Sequence, residues 1–357
     1  PPQLVSLALP LIFGNILQQL YNTIDAMVIG RFAGETAFAA IGVAGTVMNL
    51  FLFLLSGCCT GISVLFAQQY GSRDLAGFRQ EGFLASVFGG LFTLVLSLAA
   101  LLLLRPLLTL MQTPEDVARL AADYLVVIFG GLLATFFYNL CAAALRSVGD
   151  TRSALLALLA AMAANLALDL LFVARLGMGI AGAAWATLLA QGISAVLSFC
   201  IFLKELKTYP GKLEGRLFDW EELKNMARVA LPSVFQQSTV SIGMMLVQSV
   251  VNSFGAETLA GYSAAMRIES ICTVPMAAVG NAMSSYTAQN IGAGEYSRVR
   301  RGYRACYGIL AAFALVIFAA LQCFSQQLIA LFLNAESSRL ALETGTSCIR
   351  FLGWFYI

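Results

Sequence analysis

No histidine occurs anywhere in the 357-residue chain, and only 11% of its residues are charged. With no histidine, and with no CxxC pair among eight scattered cysteines, no Cys/His metal-ligand set exists. The cysteines fall within or beside apolar stretches, which fits small packing residues and implies no disulfide framework. The low charge excludes an ordinary soluble domain, where about 25% of residues are charged. A net charge of +2 is too small to suggest a nucleic-acid partner. The first apolar stretch runs to about residue 29 with no small-residue cleavage site, so a cleavable signal peptide is not expected.

What fills the chain is apolar: 59% of residues are hydrophobic. Stretches of roughly 20 residues recur, each long enough to cross a bilayer core of about 30 Å. Breaks rich in charge, glycine or proline divide them into ten expected helices, near 4–29, 38–69, 83–104, 120–145, 153–174, 180–203, 226–253, 259–290, 303–333 and 341–357. The reading is an all-α polytopic membrane protein.

The chain also resembles itself. "LALP" (7–10) matches "VALP" (229–232) at an offset of 222, and "FAGETAFAA" (32–40) lies over "FGAETLAGY" (254–262) at the same offset. One gap later, "AQQYGSRD" (67–74) lies over "AQNIGAGE" (288–295). Six helices separate the copies, so both enter the membrane from the same side, as in a parallel repeat. The expected architecture is two six-helix bundles, of which this chain carries ten helices. The division is 1–203 for an N-lobe, 204–225 for a cytoplasmic linker and 226–357 for a C-lobe. Loops after even-numbered helices hold fourteen Lys and Arg against five after odd-numbered ones. That bias places the even loops and the N-terminus in the cytoplasm.

Polar residues inside these helices carry the functional signal. Asn15, Gln18, Asn22 and Asp25 share one face of the first helix, a stripe that lipid cannot satisfy. Asp25 and Asp169 each lie about five residues, or roughly 7 Å, before the outer end of an outward-running helix. Asn165 shares the face of Asp169, and Thr187 lies roughly 10 Å into the inward-running helix that follows. Two carboxylates, an amide and a hydroxyl at one depth suit a proton or a hard cation such as Na⁺. Independent structural roles are the competing explanation.

The second half departs from this pattern. Gln237, Ser241, Gln248 and Asn252 repeat the stripe on the seventh helix, but Val247 stands where Asp25 would be. Arg267 and Glu269 in "AAMRIESICTVP" read either as a buried ion pair or as part of a substrate or ion site. Pro10, Pro232 and Pro275 interrupt the first, seventh and eighth helices, and Pro10 with Asp25 makes the first helix the best candidate for bending. Phe13, Phe53, Tyr138 and Met244 are available for an adaptable apolar cleft wall.

Taken together, "LALP", "QQLYNTIDAMVIGRFAG", "AQQYGSRD", "ALRSVGDTR", "NLALDLLFV", "GMGIAGAAWAT" and "AQNIGAGE" resemble the multidrug and toxic compound extrusion (MATE) transporters. "SAAMRIES" leans towards their prokaryotic, DinF-like branch. The resemblance implies two six-helix lobes around a cleft and export of organic cations or amphipathic toxins in exchange for H⁺ or Na⁺. It assigns Asp25, Asn165, Asp169 and Thr187 to an N-lobe cation site, with the backbone carbonyl of Ala183 as a further ligand. It makes Pro10 the bending point of the first helix. The substrate cleft would be lined by Asn15, Gln18, Asn22, Tyr138, Gln237, Gln248, Asn252, Arg267 and Glu269. The acid that some members carry in the seventh helix has no counterpart here. A monomeric protein of the bacterial inner (plasma) membrane, with no cofactor, is expected. The rival readings are a lipid-linked saccharide flippase, which would need a strongly cationic cavity, and an intramembrane aspartyl protease, whose YD and GxGD settings are missing.

Overall fold

In the computed structural model the described residues are 2–33, 35–111, 113, 115–208, 218–252, 254, 256–331 and 339–356. They form α1 (Pro2–Ala33), α2 (Glu35–Gly71), α3 (Leu75–Leu84), α4 (Gly90–Leu110), α5 (Glu115–Gly130), α6 (Leu132–Ser147), α7 (Thr151–Asp169), α8 (Gly179–Thr208), α9 (Trp220–Asn252), α10 (Ala256–Gly292), α11 (Tyr296–Ala330) and α12 (Arg339–Gly353). A π-helical turn, Ala85–Gly89, joins α3 to α4, a second, Leu170–Arg175, extends α7, and a 3₁₀ turn, Trp354–Tyr356, follows α12. Counting α3–α4 and α5–α6 as one stretch each, the described residues make the ten helical segments expected from the apolar runs. The fold is all-α.

Among the described residues, five segments are long and apolar enough to cross a membrane, and the α5–α6 pair, bent by 52°, makes a sixth if taken as one span. The bend falls at Gly131, where a Cβ would lie 2.0 Å from the Leu188 side chain of α8. Any side chain here would force the Leu188 methyl groups to move. Along α4, Leu94, Val95, Leu98 and Leu102 are exposed while Thr93, Ala100 and Leu104 are buried. An outward face of large apolar residues along most of a helix is the arrangement lipid favours. The chain is a multipass membrane protein. Proline does not interrupt the helices: α1, α9 and α10 run on through Pro10, Pro232 and Pro275.

Packing separates two compact units, one of Pro1–Ile16, Ile242–Thr287 and Tyr296–Ile357, the other of Leu17–Ser241 and Ala288–Glu295. These limits differ from the lobe limits at 203 and 226 read from the sequence. In the first unit, Ala264, Ala265 and Ile268 of α10 form a core with Leu321 and Ile329 of α11 and Ile349 of α12. Gly261 makes this possible, because a Cβ there would stand 2.2 Å from the Ala341 carbonyl oxygen. The core of the second unit includes Phe51 edge-on to Phe129 at 4.9 Å and Phe66 against Phe78 at 4.9 Å. Its α2 meets α9 through Gly57 and Gly61, whose absent side chains admit the backbones of Ser233, Val234 and Ala230.

One turn geometry recurs three times in the second unit. After α2, the amides of Ser72, Arg73 and Asp74 donate to the carbonyls of Gln68, Tyr70 and Gln69. After α10, Ala293, Gly294 and Glu295 donate to Gln289, Ile291 and Asn290, the same pattern 221 residues later. After α6, Val148, Gly149 and Asp150 repeat it on Ala144, Arg146 and Leu145. The middle residue of each donating triplet takes a positive φ: Arg73 (59°), Gly149 (91°) and Gly294 (73°). Asp74 and Asp150 then cap the next helices, accepting from Gly77 N at 2.9 Å and Ser153 N at 3.0 Å.

The first two of these turns also touch each other. A Cβ on Gly71 would stand 1.9 Å from the carbonyl oxygen of Gln289, and a Cβ on Gly292 would stand 2.1 Å from that of Gln68. The contact is reciprocal: each copy of the repeated motif presses its glycine onto the other copy's glutamine carbonyl. The Gln289 side chain also donates from Nε2 to the Ser147 carbonyl at the end of α6.

Candidate functional site

Asp169 is the last residue of α7 before the chain switches to π-helical winding. It is 0% exposed, and Asn165, 4% exposed, donates from Nδ2 to its Oδ2 at 3.0 Å. Burying a carboxylate is costly unless it is hydrogen-bonded, and a bond to a charged group contributes about 1.5–3 kcal/mol. The i, i+4 spacing supplies that bond from within one helix. Because the amide donates through nitrogen, its oxygen remains an acceptor for a cation or a hydroxyl.

Asn165 stands on the wall of a cavity of about 250 Å³ inside the second unit. The polar wall is completed by Gln18 of α1, Asn49 of α2, Tyr124 of α5, Thr135 and Tyr138 of α6, and Thr187, Gln191 and Ser194 of α8. Asp169 does not line the cavity; Asn165 links it to that space. Thr187 and Gln191 lie one turn apart on α8, and Ala183, fully buried, lies one turn before Thr187. The α5–α6 bend turns Thr135 and Tyr138 towards this wall. Thr135 Oγ1 donates to Gln191 Oε1, and Asn139 Nδ2 donates to the Thr135 carbonyl at 2.8 Å. Ser194 Oγ donates to the Ala157 carbonyl at 3.1 Å, fastening α8 to α7.

Of the residues singled out from the sequence, Gln18, Tyr138, Asn165 and Thr187 are therefore brought to one cavity, with Asp169 hydrogen-bonded to it through Asn165. The side chains of Asn22, Asp25, Gln248 and Asn252 lie outside the described residues. Asn15 is half-buried on α1 in the first unit, and Gln237 is half-buried on α9 without lining the cavity. Among the described residues no group of three His, Cys, Asp or Glu is placed to hold a metal. Oxygen ligands here would come from amides, hydroxyls and a carboxylate, a set that suits a hard cation.

The buried ion pair read for Arg267 and Glu269 is a correction. The ion pairs among the described residues are Lys224–Glu221 and Arg339–Glu343, and Arg267–Glu269 is not one of them. Two residues apart on a helix, the side chains diverge: Arg267 is exposed and Glu269 half-buried. Arg146, which the sequence placed among loop charges, belongs to the last turn of α6. It is half-buried, with Tyr138 and Cys59 as its electrostatic neighbours. Its eight-residue spacing from Tyr138 along one helix was the signal available in the sequence. Thr135, Gln191, Asn49 and Tyr124 were missed because each is a single polar residue in an apolar run.

Comparison with known proteins follows the same lines. The family model MatE matches residues 10–171 and 232–357. The probable multidrug resistance protein YpnP of Bacillus subtilis is 33% identical over 356 residues, covering 99% of this chain and 78% of YpnP. The probable multidrug resistance protein NorM of Thermotoga maritima is 26% identical over 304 residues, covering 83% of this chain and 64% of that protein. A multidrug resistance MATE family transporter of the MOP superfamily, solved in an outward-facing conformation, superposes with a TM-score of 0.87 at 26% identity. That alignment covers 99% of this chain and 78% of the solved one.

Proposed function

The chain belongs to the MATE family of membrane transporters, and on that premise we propose that it is a secondary active multidrug efflux protein. It exports organic cations or amphipathic toxins in exchange for H⁺ or Na⁺. The observation that carries the reading is the Asn165–Asp169 hydrogen bond at 3.0 Å beside a polar cavity that Thr187 also lines. In this reading Asp25, Asn165, Asp169 and Thr187, with the Ala183 carbonyl, take up the coupling ion. Residues 1–203 and 226–357 act as N- and C-lobes joined by a cytoplasmic linker at 204–225. The protein sits as a monomer in the bacterial inner membrane with its N-terminus in the cytoplasm, and α1 bends at Pro10 during the cycle.

Coupling follows from differential affinity. A ligand shifts the balance between inward- and outward-facing states only by binding one better than the other. Cation and drug each prefer the site emptied of the other, so inward ion movement drives outward drug movement. Ethidium movement in inside-out vesicles, energised alternately by a pH gradient and by a Na⁺ gradient, tests this. One gradient should drive transport, and Asp169→Asn should abolish it while the protein still inserts. Transport that ignores both gradients, or that survives Asp169→Asn, overturns the reading.

A further inference from the structure

Glu81 is a carboxylate for which the transport reading has no use. Phe78, Glu81 and Leu84 form the buried face of α3, and Glu81 is only 2% exposed. The face packs into a core with Phe66 of α2, and Phe202 of α8 and Leu223 and Met226 of α9 join the same cluster. Glu81 Oε1 is buried and has no hydrogen-bond partner in the structure. The charge that acts on it is another carboxylate, Glu222 in the first turn of α9. Phe66 of α2 and Phe202 of α8 are the ring partners of Phe78 on the same face.

The segment Leu75–Leu110 has 36 residues, about 54 Å of helix against a bilayer core of about 30 Å. Glu81 lies six residues, about 9 Å, from its start, and the segment is longer than the hydrocarbon by more than that distance. An ionised carboxylate at this spot would suffer both desolvation and repulsion from Glu222, the two influences resolved on it among the described residues. The neutral acid suffers neither.

We infer that Glu81 is a proton-binding site that latches the start of α9 onto α3. With the proton on Glu81, Leu223 and Met226 stay seated in the cluster that holds Phe78 and Leu84. When the proton leaves to water, the carboxylate draws solvent into the cluster and the first turns of α9 lift away. The latch is independent of the cavity at Asn165, and its test does not read transport.

Amide hydrogen exchange of residues 220–226, followed in the nanodisc-reconstituted protein from about pH 6 to about pH 9, measures it. After correction for intrinsic exchange, the opening constant should rise about tenfold per pH unit below the midpoint at which latched Glu81 loses its proton, the slope of one proton, and level off above it. Glu81→Gln keeps the side-chain shape without the titration and should give a flat profile. Glu222→Gln removes the repelling charge and should move the levelling-off to lower pH. A flat wild-type profile, an unchanged rise in Glu81→Gln, or an unmoved levelling-off in Glu222→Gln would each overturn the assignment.

Discussion

Replacing Gly71 by alanine puts a methyl carbon 1.9 Å from the Gln289 carbonyl oxygen, where ordinary contact begins at 3.4 Å. The two backbones must part by about 1.5 Å, because the obstacle is a carbonyl in a helix and not the movable end of a side chain. Overpacking of this kind costs about 1–3 kcal/mol. Gly292→Ala meets the Gln68 carbonyl at 2.1 Å, so its penalty should be similar. The informative variant is the double one. A single separation of the helix ends relieves both clashes, so Gly71→Ala/Gly292→Ala should cost little more than the worse single change. Coupling of that kind is what a double-mutant cycle detects. Thermal unfolding of the purified protein, followed by tryptophan fluorescence, should show each single variant lower by a few degrees. Gly42→Ala and Gly45→Ala, inside α2 with nothing within 4 Å of the new carbon, serve as controls at or slightly above the wild-type midpoint. Wild-type stability of Gly71→Ala, or fully additive penalties in the double variant, would refute a reciprocal backbone contact.

Three other outcomes are expected. Asn165→Leu withdraws an amide donor from a fully buried carboxylate, and should cost about 1–3 kcal/mol of stability in chemical unfolding while stopping gradient-driven ethidium movement. Arg73 holds a left-handed φ of 59° that glycine adopts freely, so Arg73→Gly should raise stability by about 0.5–1 kcal/mol in the same unfolding assay. Asp150→Ala removes the cap of α7 and should lower stability by about 1 kcal/mol, with Asp150→Asn restoring most of it.

The helices were legible because apolar length is a property of consecutive residues, and ten runs became ten helical segments. The hydrogen bond between Asn165 and Asp169 was legible for a related reason, since i, i+4 spacing fixes neighbours within one helix. What sequence could not give was where the helical pitch changes. The π-helical turn after Asp169 begins in "LLFVAR", which reads as plain membrane helix. Nor could it find cavity partners held by different helices, such as Thr135 on α6 and Gln191 on α8, whose meeting depends on the bend at Gly131. The Arg267–Glu269 pairing failed because opposite charges two residues apart look like partners on paper but face different ways on a helix.

The meeting of "AQQYG" with "AQNIG" has a consequence for how the two copies are free to change. Each copy offers the same glycine to the same carbonyl, as the subunits of a two-fold dimer do across their axis. A substitution at one glycine is therefore felt at the other, 221 positions away in the chain. Drift that is tolerated elsewhere in either copy meets its mirror image here, so this stretch ties the spelling of one half to that of the other.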